Sequence, residues 1–277
     1  MNDERADVKP IALLIPVWNR QRKLERALLS LASEASLLEV VVIDDGSRPP
    51  VRIDPTSPLD VHLIRLTRNQ GIAAALNAGL EYVFERGHPY VARLDSDDVA
   101  LAGRFRRQFD HLESHPEVGI CGGGYRERRI DGGGSTDVVA LRDDAAIRRG
   151  MHLRTTLWHP TVMIRTSVAR RVGFFDPGLK CEDVDFFLRI LDISRAANIP
   201  EPLIEYEVGA DDALTGTPVR RRALARDLLR LKIRRPAPLD PLWWLGFLAA
   251  ASYFVGIDLR RTGLRGLAVR WLDRRDG

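Results

Sequence analysis

The chain has 277 residues, 45% of them apolar, and a formal net charge of +4, so it can bury a real core as one large domain or two joined halves. The N-terminus MNDERADVKP is charged, and the two cysteines, Cys121 and Cys181, form no C-x-x-C pair. These features exclude an apolar signal sequence at this end and a dithiol motif, and they indicate a cytoplasmic protein with two buried thiols.

Strands and helices alternate along the first hundred residues. Predicted strands cover residues 11–17, 40–43, 61–66 and 90–94, and predicted helices cover residues 19–31 and 72–84. Strands that are apolar throughout and separated by helices predict a parallel sheet covered on both faces. Ligands of such sheets bind beyond the carboxyl ends of the strands.

The pattern is less regular after residue 99. We expect helices over 101–114 and 183–197, strands over 118–125 and 161–164, and a hairpin or mobile loop over 126–134. The Gly-rich stretch at 122–124 lacks the spacing of a phosphate-binding loop, which favours close backbone packing there or a loop beside a cleft.

Two acidic clusters, at 44–45 and 95–98, follow the second and fourth predicted strands. Because both lie at the carboxyl ends of parallel strands, we expect them to share one crevice. Crowded carboxylates raise one another's pKa unless a cation neutralises them, and Asp-x-Asp offers two hard oxygen ligands to Mg²⁺ or Mn²⁺. The alternative is a loop of Asx turns in which Asp98 caps a helix that begins near residue 99.

Six motifs, in this order, resemble the family 2 inverting glycosyltransferases, which have the GT-A fold. They lie between residues 10 and 207 and read IPVWNR, VVIDDGS, N-Q-G followed by L-N-x-G, ARLDSDD followed by Arg104 and Gln108, HPTVMIR, and CEDVDFFLR. The resemblance implies an α/β fold with a mostly parallel, Rossmann-type sheet flanked by helices. It also implies a nucleotide-sugar-binding half over 1–100, an acceptor-binding half with the catalytic base over 101–217, and a helical, membrane-leaning tail over 218–277.

The same resemblance implies a metal-dependent enzyme that moves a sugar, with inversion, from a nucleotide-diphosphate donor to a glycan or lipid-linked acceptor. We expect a UDP-sugar as the donor and cell-surface polysaccharide synthesis as the process. Two other functions remain open. A sugar nucleotidyltransferase would have a Gly-rich pyrophosphate loop where this chain has VWNRQRK, and a non-catalytic glycan-binding protein would not need the intact Asp95, Asp97 and Asp183.

In the family, the end of the first strand and the D-D-G-S turn hold the nucleotide. The residues that the resemblance assigns to nucleotide-sugar binding are Pro16, Val17, Trp18, Asn19, Asp44, Asp45, Asn77, Arg93, Asp95 and Ser96. Trp18 is expected to stack on the base, or else to pack in the core, while Asp44 or Asp45 accepts from the base or ribose. Many members have Arg-Asn where this chain has Leu-Asn at 76–77, so Arg93 is expected to supply the missing charge, unless it is a surface residue on a strand edge.

The D-x-D and E-D motifs imply the metal site and the base. Asp97 is expected to bind Mn²⁺ or Mg²⁺ directly, and Asp95 to contact the metal or the ribose. Asp183, with Glu182 beside it, is expected to remove the acceptor hydroxyl proton on the side opposite the leaving diphosphate. The alternative for this acidic pair is simple stabilisation of a helix N-terminus.

Trp158 and His159 match the acceptor-side motif of the family. Trp158 offers a plane for a sugar ring, and His159 is expected to contact the acceptor or the diphosphate, or else to be structural. Arg104 and Gln108 share one helix face just after the metal site. We expect them either to brace that site or to face solvent.

The last segment differs in charge from the rest. Residues 218–277 contain 14 Lys and Arg against 5 Asp, a net charge of +9, while the preceding residues carry −5. A stretch of 17 uncharged residues, 241–257, has aromatic residues at both ends and basic segments on both sides. This pattern favours peripheral contact with the cytoplasmic face of a membrane over a simple span. Two helices packed on the catalytic part are the alternative, and no reader motif supports nucleic-acid binding.

Overall fold

The computed structural model describes residues 8–129, 134–208 and 218–254. Its strands are β1 Ile11–Val17, β2 Leu38–Asp44, β3 Asp60–Arg65, β4 Tyr90–Arg93, β5 Val99–Ala100, β6 Val118–Arg129, β7 Ser135–Val138, β8 Met163–Arg165 and β9 Arg195–Val208. Its α-helices are α1 Gln21–Leu29, α2 Ile72–Arg86, α3 Arg104–Ser114, α4 Asp144–Gly150, α5 Thr166–Val172, α6 Glu182–Leu191, α7 Pro218–Arg234 and α8 Pro241–Phe254. Short 3-10 helices cover Ala32–Glu34 and His159–Thr161.

All of these strands belong to one sheet, in the order β3-β2-β1-β4-β8-β6-β9-β5, with β7 paired to β6. Strands β3, β2, β1 and β4 run parallel, which confirms the predicted topology of the first half. Strand β8 runs antiparallel to both β4 and β6, and β9 runs parallel to β6. The carboxyl ends of β1, β2 and β4 therefore open onto one edge of the sheet.

The uniformly apolar sequence of β1 follows from burial on both faces of the sheet. Leu13 packs into one cluster with Leu24 of α1 and Phe105 of α3. Its neighbour Leu14 points the other way and packs into a second cluster with Leu76 of α2. Because helices cover both faces, alternation with polar residues is absent from this strand, as the parallel-sheet interpretation requires.

The second half contains elements that were not predicted, among them α4, α5 and β5, and it departs most from the prediction after α6. The helix predicted over 183–197 ends at Leu191, and β9 begins at Arg195. Strand β9 was not predicted, because Pro200 and Pro202 interrupt its apolar pattern and lack the N–H that a regular ladder needs. Register shifts in the facing part of β6, on either side of Gly124, accommodate this irregular segment.

The tail forms a helical hairpin, α7 followed by α8, and α7 contacts the body through Asp227, which accepts from the Lys180 N–H, and through Lys232, which donates to the His152 carbonyl. The packed-helix alternative therefore holds for α7. Of the residues described here, none forms a helix with the length and apolar character that crossing a membrane requires. Part of the predicted 241–257 segment lies outside the described residues, and its contact with a membrane stays a prediction.

Candidate active site

The loops after β1 and β2 are tied together at the sheet edge. Asn19 adopts a left-handed conformation, with φ of 55°, which Asn tolerates better than most residues. Its backbone N–H donates to Ser47 Oγ at 2.9 Å, and its Oδ1 accepts from the Arg48 N–H at 2.8 Å. A cavity of about 470 Å³ lies beside these two loops, and Asn19, Arg20, Ser47 and Arg48 are among its lining residues.

Trp18 is 52% exposed at this edge, so the alternative of a core tryptophan is wrong. The two residues before it, which were also predicted to bind the nucleotide, are not exposed: Pro16 and Val17 are buried within β1. The Val17 carbonyl accepts from the Asp45 N–H at 2.9 Å and so joins the two loops. Trp18 is therefore the part of this motif that offers an open aromatic face.

Asp44 is closed off from solvent, with 0% of its surface exposed. Its carboxylate accepts from the N–H groups of Ser47 at 2.8 Å and Val51 at 3.3 Å, and from Arg65 Nη1 at 3.1 Å. These bonds hold the turn after β2 in shape. Asp44 therefore has a structural role in this turn. The sequence alone could not distinguish that role from binding of the nucleotide.

Asp45 performs a similar task for the next loop but is slightly more exposed. Its two oxygens accept from the N–H groups of Gln70 at 2.7 Å and Gly71 at 2.9 Å, just before α2. Burial raises its pKa, although these two hydrogen bonds act in the opposite direction. Each carboxylate oxygen keeps a further acceptor position, so Asp45 is the better of the two candidates for a contact with the nucleotide.

Asn77 ties α2 to the loop that precedes α6. Its Nδ2 donates to the Phe175 carbonyl at 2.9 Å, and its Oδ1 accepts from the Phe175 N–H at 2.8 Å. The amide is therefore already engaged on both sides. Ser96, another predicted nucleotide-binding residue, is also buried.

The carboxylates of Asp95 and Asp97 are each about one-third exposed after β4. Asp95 Oδ1 accepts from Arg93 Nη2 at 2.6 Å. Asp97 pairs with Arg20 from the loop after β1, and Lys23 Nζ lies 3.7 Å from the same oxygen. The D-x-D carboxylates thus face basic side chains from three places: the loop after β1, helix α1 and strand β4.

Asp98 is 1% exposed, and its Oδ2 has no hydrogen-bond partner. Burial, followed by the charges of Asp95 and Asp97, raises its pKa to about 9. The alternative in which Asp98 caps a helix is wrong, because residues 99–100 form β5 and α3 begins at Arg104. An orphaned oxygen in a crowded acidic turn indicates a place where additional positive charge is favourable.

A cation fits this turn only together with a ligand that brings further oxygens. Within residues 8–129, 134–208 and 218–254, no three His, Cys, Asp or Glu side chains are arranged to hold a metal ion. Mg²⁺ characteristically takes one or two carboxylates and completes its shell with water and substrate phosphates. The two exposed carboxylates of Asp95 and Asp97 match that partial donor set.

Arg104 and Gln108 brace the site from below, and both are completely buried, so the solvent-facing alternative is wrong. Arg104 Nη2 donates to the Arg93 carbonyl at 2.6 Å, and Arg104 Nε donates to Gln108 Oε1 at 3.2 Å. Gln108 Nε2 in turn donates to the carbonyls of Cys121 at 2.7 Å and Thr161 at 2.9 Å. This network joins α3, β4, β6 and the short helix at 159–161.

Arg93 is buried on β4, so the alternative of a surface arginine on a strand edge is also wrong. Apart from its bond to Asp95, its Nε and Nη1 have no partner. Its charge acts on the ionisation of Glu182, Asp183 and His159, which come from much later in the chain. Arg93 therefore lies where the two halves of the site meet.

Asp183 occupies the first turn of α6, and its Oδ2 lies 3.9 Å from His159 Nδ1. Burial raises its pKa, while a hydrogen bond from the Val184 N–H and the charge of Arg93 oppose that rise and Asp95 adds to it. Glu182 also has a raised pKa, chiefly because it is buried. His159, 3.9 Å from Asp183, lines a small pocket together with Arg93, and Arg93 donates to Asp95, so the E-D and D-x-D motifs lie close to one another.

His159 is neutral in this site, because burial lowers its pKa well below the ordinary value and Arg93 adds to that effect. The contact with Asp183 is therefore between a neutral imidazole and a carboxylate. Phe187 of α6 packs against the ring with a centroid distance of 5.5 Å, and Nε2 has no partner. The ring is held in place by packing, and its Nε2 is buried without a hydrogen-bond partner.

An aromatic group that the sequence did not predict borders the acidic turn. Trp158 meets Tyr125 edge to face at 4.8 Å, and Tyr125 meets the exposed Tyr206 at 5.7 Å. Burial, and then the charges in the 95–98 turn, raise the pKa of Tyr206. Tyr206 itself was the only local sign of this aromatic group in the sequence. Its aromatic neighbour Tyr125 comes from the distant strand β6.

Comparison with known proteins identifies relatives of this chain. The amylovoran biosynthesis glycosyltransferase AmsE of Erwinia amylovora is 30% identical over 208 residues, which is 72% of this chain and 77% of the relative. The UDP-Gal:alpha-D-GlcNAc-diphosphoundecaprenol beta-1,3-galactosyltransferase of Escherichia coli is 26% identical over 183 residues, 63% of this chain and 64% of that protein.

Solved structures share the fold at low sequence identity. S. aureus TarS 1-349 in complex with UDP-GlcNAc superposes with a TM-score of 0.62 at 17% identity, over 92% of this chain and 75% of that one. The mannosyltransferase PcManGT from Pyrobaculum calidifontis, in complex with GDP-Man and Mn²⁺, gives 0.60 at 16% identity, over 96% and 81%. The expected GT-A-like fold is confirmed. Because the sequence model of Glycosyl transferase family 2 matches residues 12–173, more than half of its length, the chain belongs to that glycosyltransferase family.

Proposed function

We propose that this glycosyltransferase moves a sugar, with inversion, from a UDP-linked donor to a glycan or lipid-linked acceptor in cell-surface polysaccharide synthesis. One observation carries the proposal: His159 lies 3.9 Å from Asp183 of α6 and lines a small pocket together with Arg93 at the end of β4. A base and a diphosphate-binding turn on opposite sides of one small site are the minimum that inversion requires. Membership of the family speaks against a nucleotidyltransferase.

The donor nucleotide binds at the edge formed by the loops after β1 and β2. The exposed face of Trp18 stacks on the base, and Asp45 accepts from the base or the ribose. The cavity of about 470 Å³ beside Asn19 and Ser47 supports this location. The names of the solved relatives, which include UDP-GlcNAc and GDP-Man, support a nucleotide sugar as the donor class.

Asp97 and Asp95 hold Mn²⁺ or Mg²⁺ together with the diphosphate of the donor. The cation would neutralise charge on the leaving diphosphate. The unpartnered Oδ2 of Asp98 and the exposed carboxylates beside it support such a site. Arg20 and Lys23, which contact Asp97, compete with the cation for that carboxylate until the donor arrives.

Asp183 removes the proton of the acceptor hydroxyl. Its raised pKa makes it a stronger base than an exposed aspartate, while Arg93 helps to keep it ionised near neutral pH. The neutral ring of His159, 3.9 Å from the carboxylate, limits its orientation and leaves Nε2 for the acceptor or the diphosphate. Glu182 adds negative charge beside the base.

The acceptor sugar lies against Trp158, with Tyr125 and Tyr206 extending the aromatic surface. The E. coli relative carries diphosphoundecaprenol in its name, which supports a lipid-linked acceptor. Exposed apolar side chains on α8, namely Trp244, Leu245 and Leu248, support peripheral contact with the cytoplasmic face of the membrane. The divisions at residues 100 and 217 then separate donor binding, acceptor binding and membrane contact.

Paired variants test these roles. We expect Asp97→Ala to lose Mn²⁺-dependent binding of UDP by calorimetry, because the direct metal ligand is gone. Asp183→Asn should keep that binding and lose sugar transfer, measured by release of UDP at saturating donor. Equal loss of UDP binding in both variants contradicts the separation of metal ligand from base.

A further inference from the structure

The tail contacts α6, the helix that carries Asp183, at both ends. At one end, the Lys180 N–H, just before α6, donates to Asp227 Oδ2 at 3.1 Å. At the other end, Arg235 Nη1 lies 2.6 Å from Asp192 Oδ1, just after α6. The eight steps from Asp227 of α7 to Arg235, the residue after α7, rise about 12 Å at helical spacing, somewhat less than the about 15 Å of the ten-residue α6.

The two contacts also match the electrostatics of α6. A helix has partial positive charge at its N-terminus and partial negative charge at its C-terminus. Asp227 supplies an acidic group at the first end and Arg235 a basic group at the second. The tail therefore holds the catalytic helix at both ends with charges of the favourable sign.

Asp227 is built into this position. It is 0% exposed, and its Oδ1 accepts from Arg226 Nε at 2.9 Å and faces Arg230 Nη1 at 3.5 Å. Both arginine side chains are about half exposed, so they neutralise the carboxylate from the outside. The remaining oxygen, Oδ2, points at the backbone of the loop that leads into α6.

The start of α6 lacks a cap of its own. Its N-cap residue is Cys181, whose side chain makes no capping hydrogen bond. Polar side chains usually satisfy the free N–H groups at a helix start. Here the acceptor for the neighbouring Lys180 N–H comes from Asp227, which lies 47 residues away in the chain.

We propose that Asp227 is a positioning residue for the base: it fixes the Lys180–Cys181 backbone and so sets the place of Asp183 in the first turn of α6. The proposal rests on the role of Asp183 as the base. A base must lie within hydrogen-bonding reach of the proton that it removes, and a misplacement of about 1 Å can cost about 100-fold in rate. The tail thereby becomes part of the catalytic apparatus without touching substrate.

The test compares kcat with donor affinity in full-length variants. We expect Asp227→Ala to lower kcat by about 10- to 100-fold while changing the Kd for UDP with Mn²⁺ by less than about 2-fold. Asp227→Asn keeps an oxygen that can accept from the Lys180 N–H, so its kcat should stay within about 3-fold of the parent. Asp227→Ser, whose hydroxyl is too short to reach that N–H, gives a second measurement if the alanine variant does not fold.

Arg235→Ala is the matched control, because it removes a contact of the same helix pair at the end of α6 that is remote from the base. We expect it to leave kcat within about 2-fold. The proposal is overturned if Asp227→Ala and Asp227→Ser keep full kcat, or if Arg235→Ala loses as much as they do. If Asp183→Asn still transfers sugar, the assignment of the base has failed; if it is inactive while Asp227→Ala is fully active, only the positioning role has failed.

Discussion

Replacement of Arg93 by methionine should move the pH dependence of catalysis. Arg93 is buried, its Nη2 lies 2.6 Å from Asp95, and its charge opposes the rise in the pKa of Asp183 that burial causes. Methionine keeps an unbranched chain of comparable length and removes the charge. The pKa of Asp183 should then rise further, so the acid limb of the pH–rate profile should move to higher pH.

The size of the change in the Asp183 pKa depends on how strongly Arg93 acts on that carboxylate, compared with burial and hydrogen bonding. A cation within about 4–6 Å typically lowers a carboxyl pKa by about 1–3 units. For Asp183, burial and the Val184 hydrogen bond both affect the pKa more than Arg93 does, and Arg93 donates its hydrogen bond to Asp95. We therefore expect the upward move of the Asp183 pKa in Arg93→Met to lie at the low end of that range.

The assay is kcat at saturating donor and Mn²⁺, measured between about pH 5 and pH 9. On the acid limb the Arg93→Met variant should be about 10-fold slower than the parent at the same pH, with the two converging above the limb. Arg93→Lys keeps the charge and should leave the limb close to its original position. An acid limb that stays in place, or that moves to lower pH in Arg93→Met, refutes the reasoning.

Three further variants test other parts of the account. Gln108→Ala should lower the free energy of unfolding in urea by about 3–5 kcal/mol, since two buried carbonyls and a buried arginine lose their partner, and a loss below about 1 kcal/mol would contradict the bracing role. Gly46→Ala should weaken UDP binding, because at φ of 72° its added Cβ would lie 2.4 Å from the backbone carbonyl carbon of Arg68; unchanged affinity in calorimetry would disprove that constraint. Trp244→Ser combined with Leu248→Ser should reduce sedimentation with anionic vesicles by about 10-fold and leave turnover of a soluble acceptor intact, while unaltered sedimentation would remove α8 from the proposed membrane contact.

Much of the donor half could be predicted because its signals are local. Strands β1, β2 and β4 are buried on both faces and therefore read as continuous apolar runs. The acidic residues that follow β2 and β4 mark the carboxyl edge of the sheet directly. Motif order then linked these clusters to the E-D pair at the start of α6.

The rest depends on contacts that no local pattern reveals. Strand β9 contains two prolines and finds its partner in the distant β6, so neither its existence nor the site of Tyr206 could be read from periodicity. A carboxylate also looks the same in sequence whether it is satisfied internally, as Asp44 is, or open to a ligand, as Asp97 is. Likewise, nothing near Cys181 indicates that the backbone just before its helix is held by Asp227.

Crystals of the protein with Mn²⁺ and UDP, examined by anomalous scattering from manganese, test the division of labour among the acidic residues most directly. We predict a manganese peak at coordination distance from a carboxylate oxygen of Asp97 and from diphosphate oxygens of UDP, with Asp183 outside the coordination shell and facing the space for the sugar. A manganese ion bound by Asp183 or Glu182, or one remote from Asp97, would contradict the account.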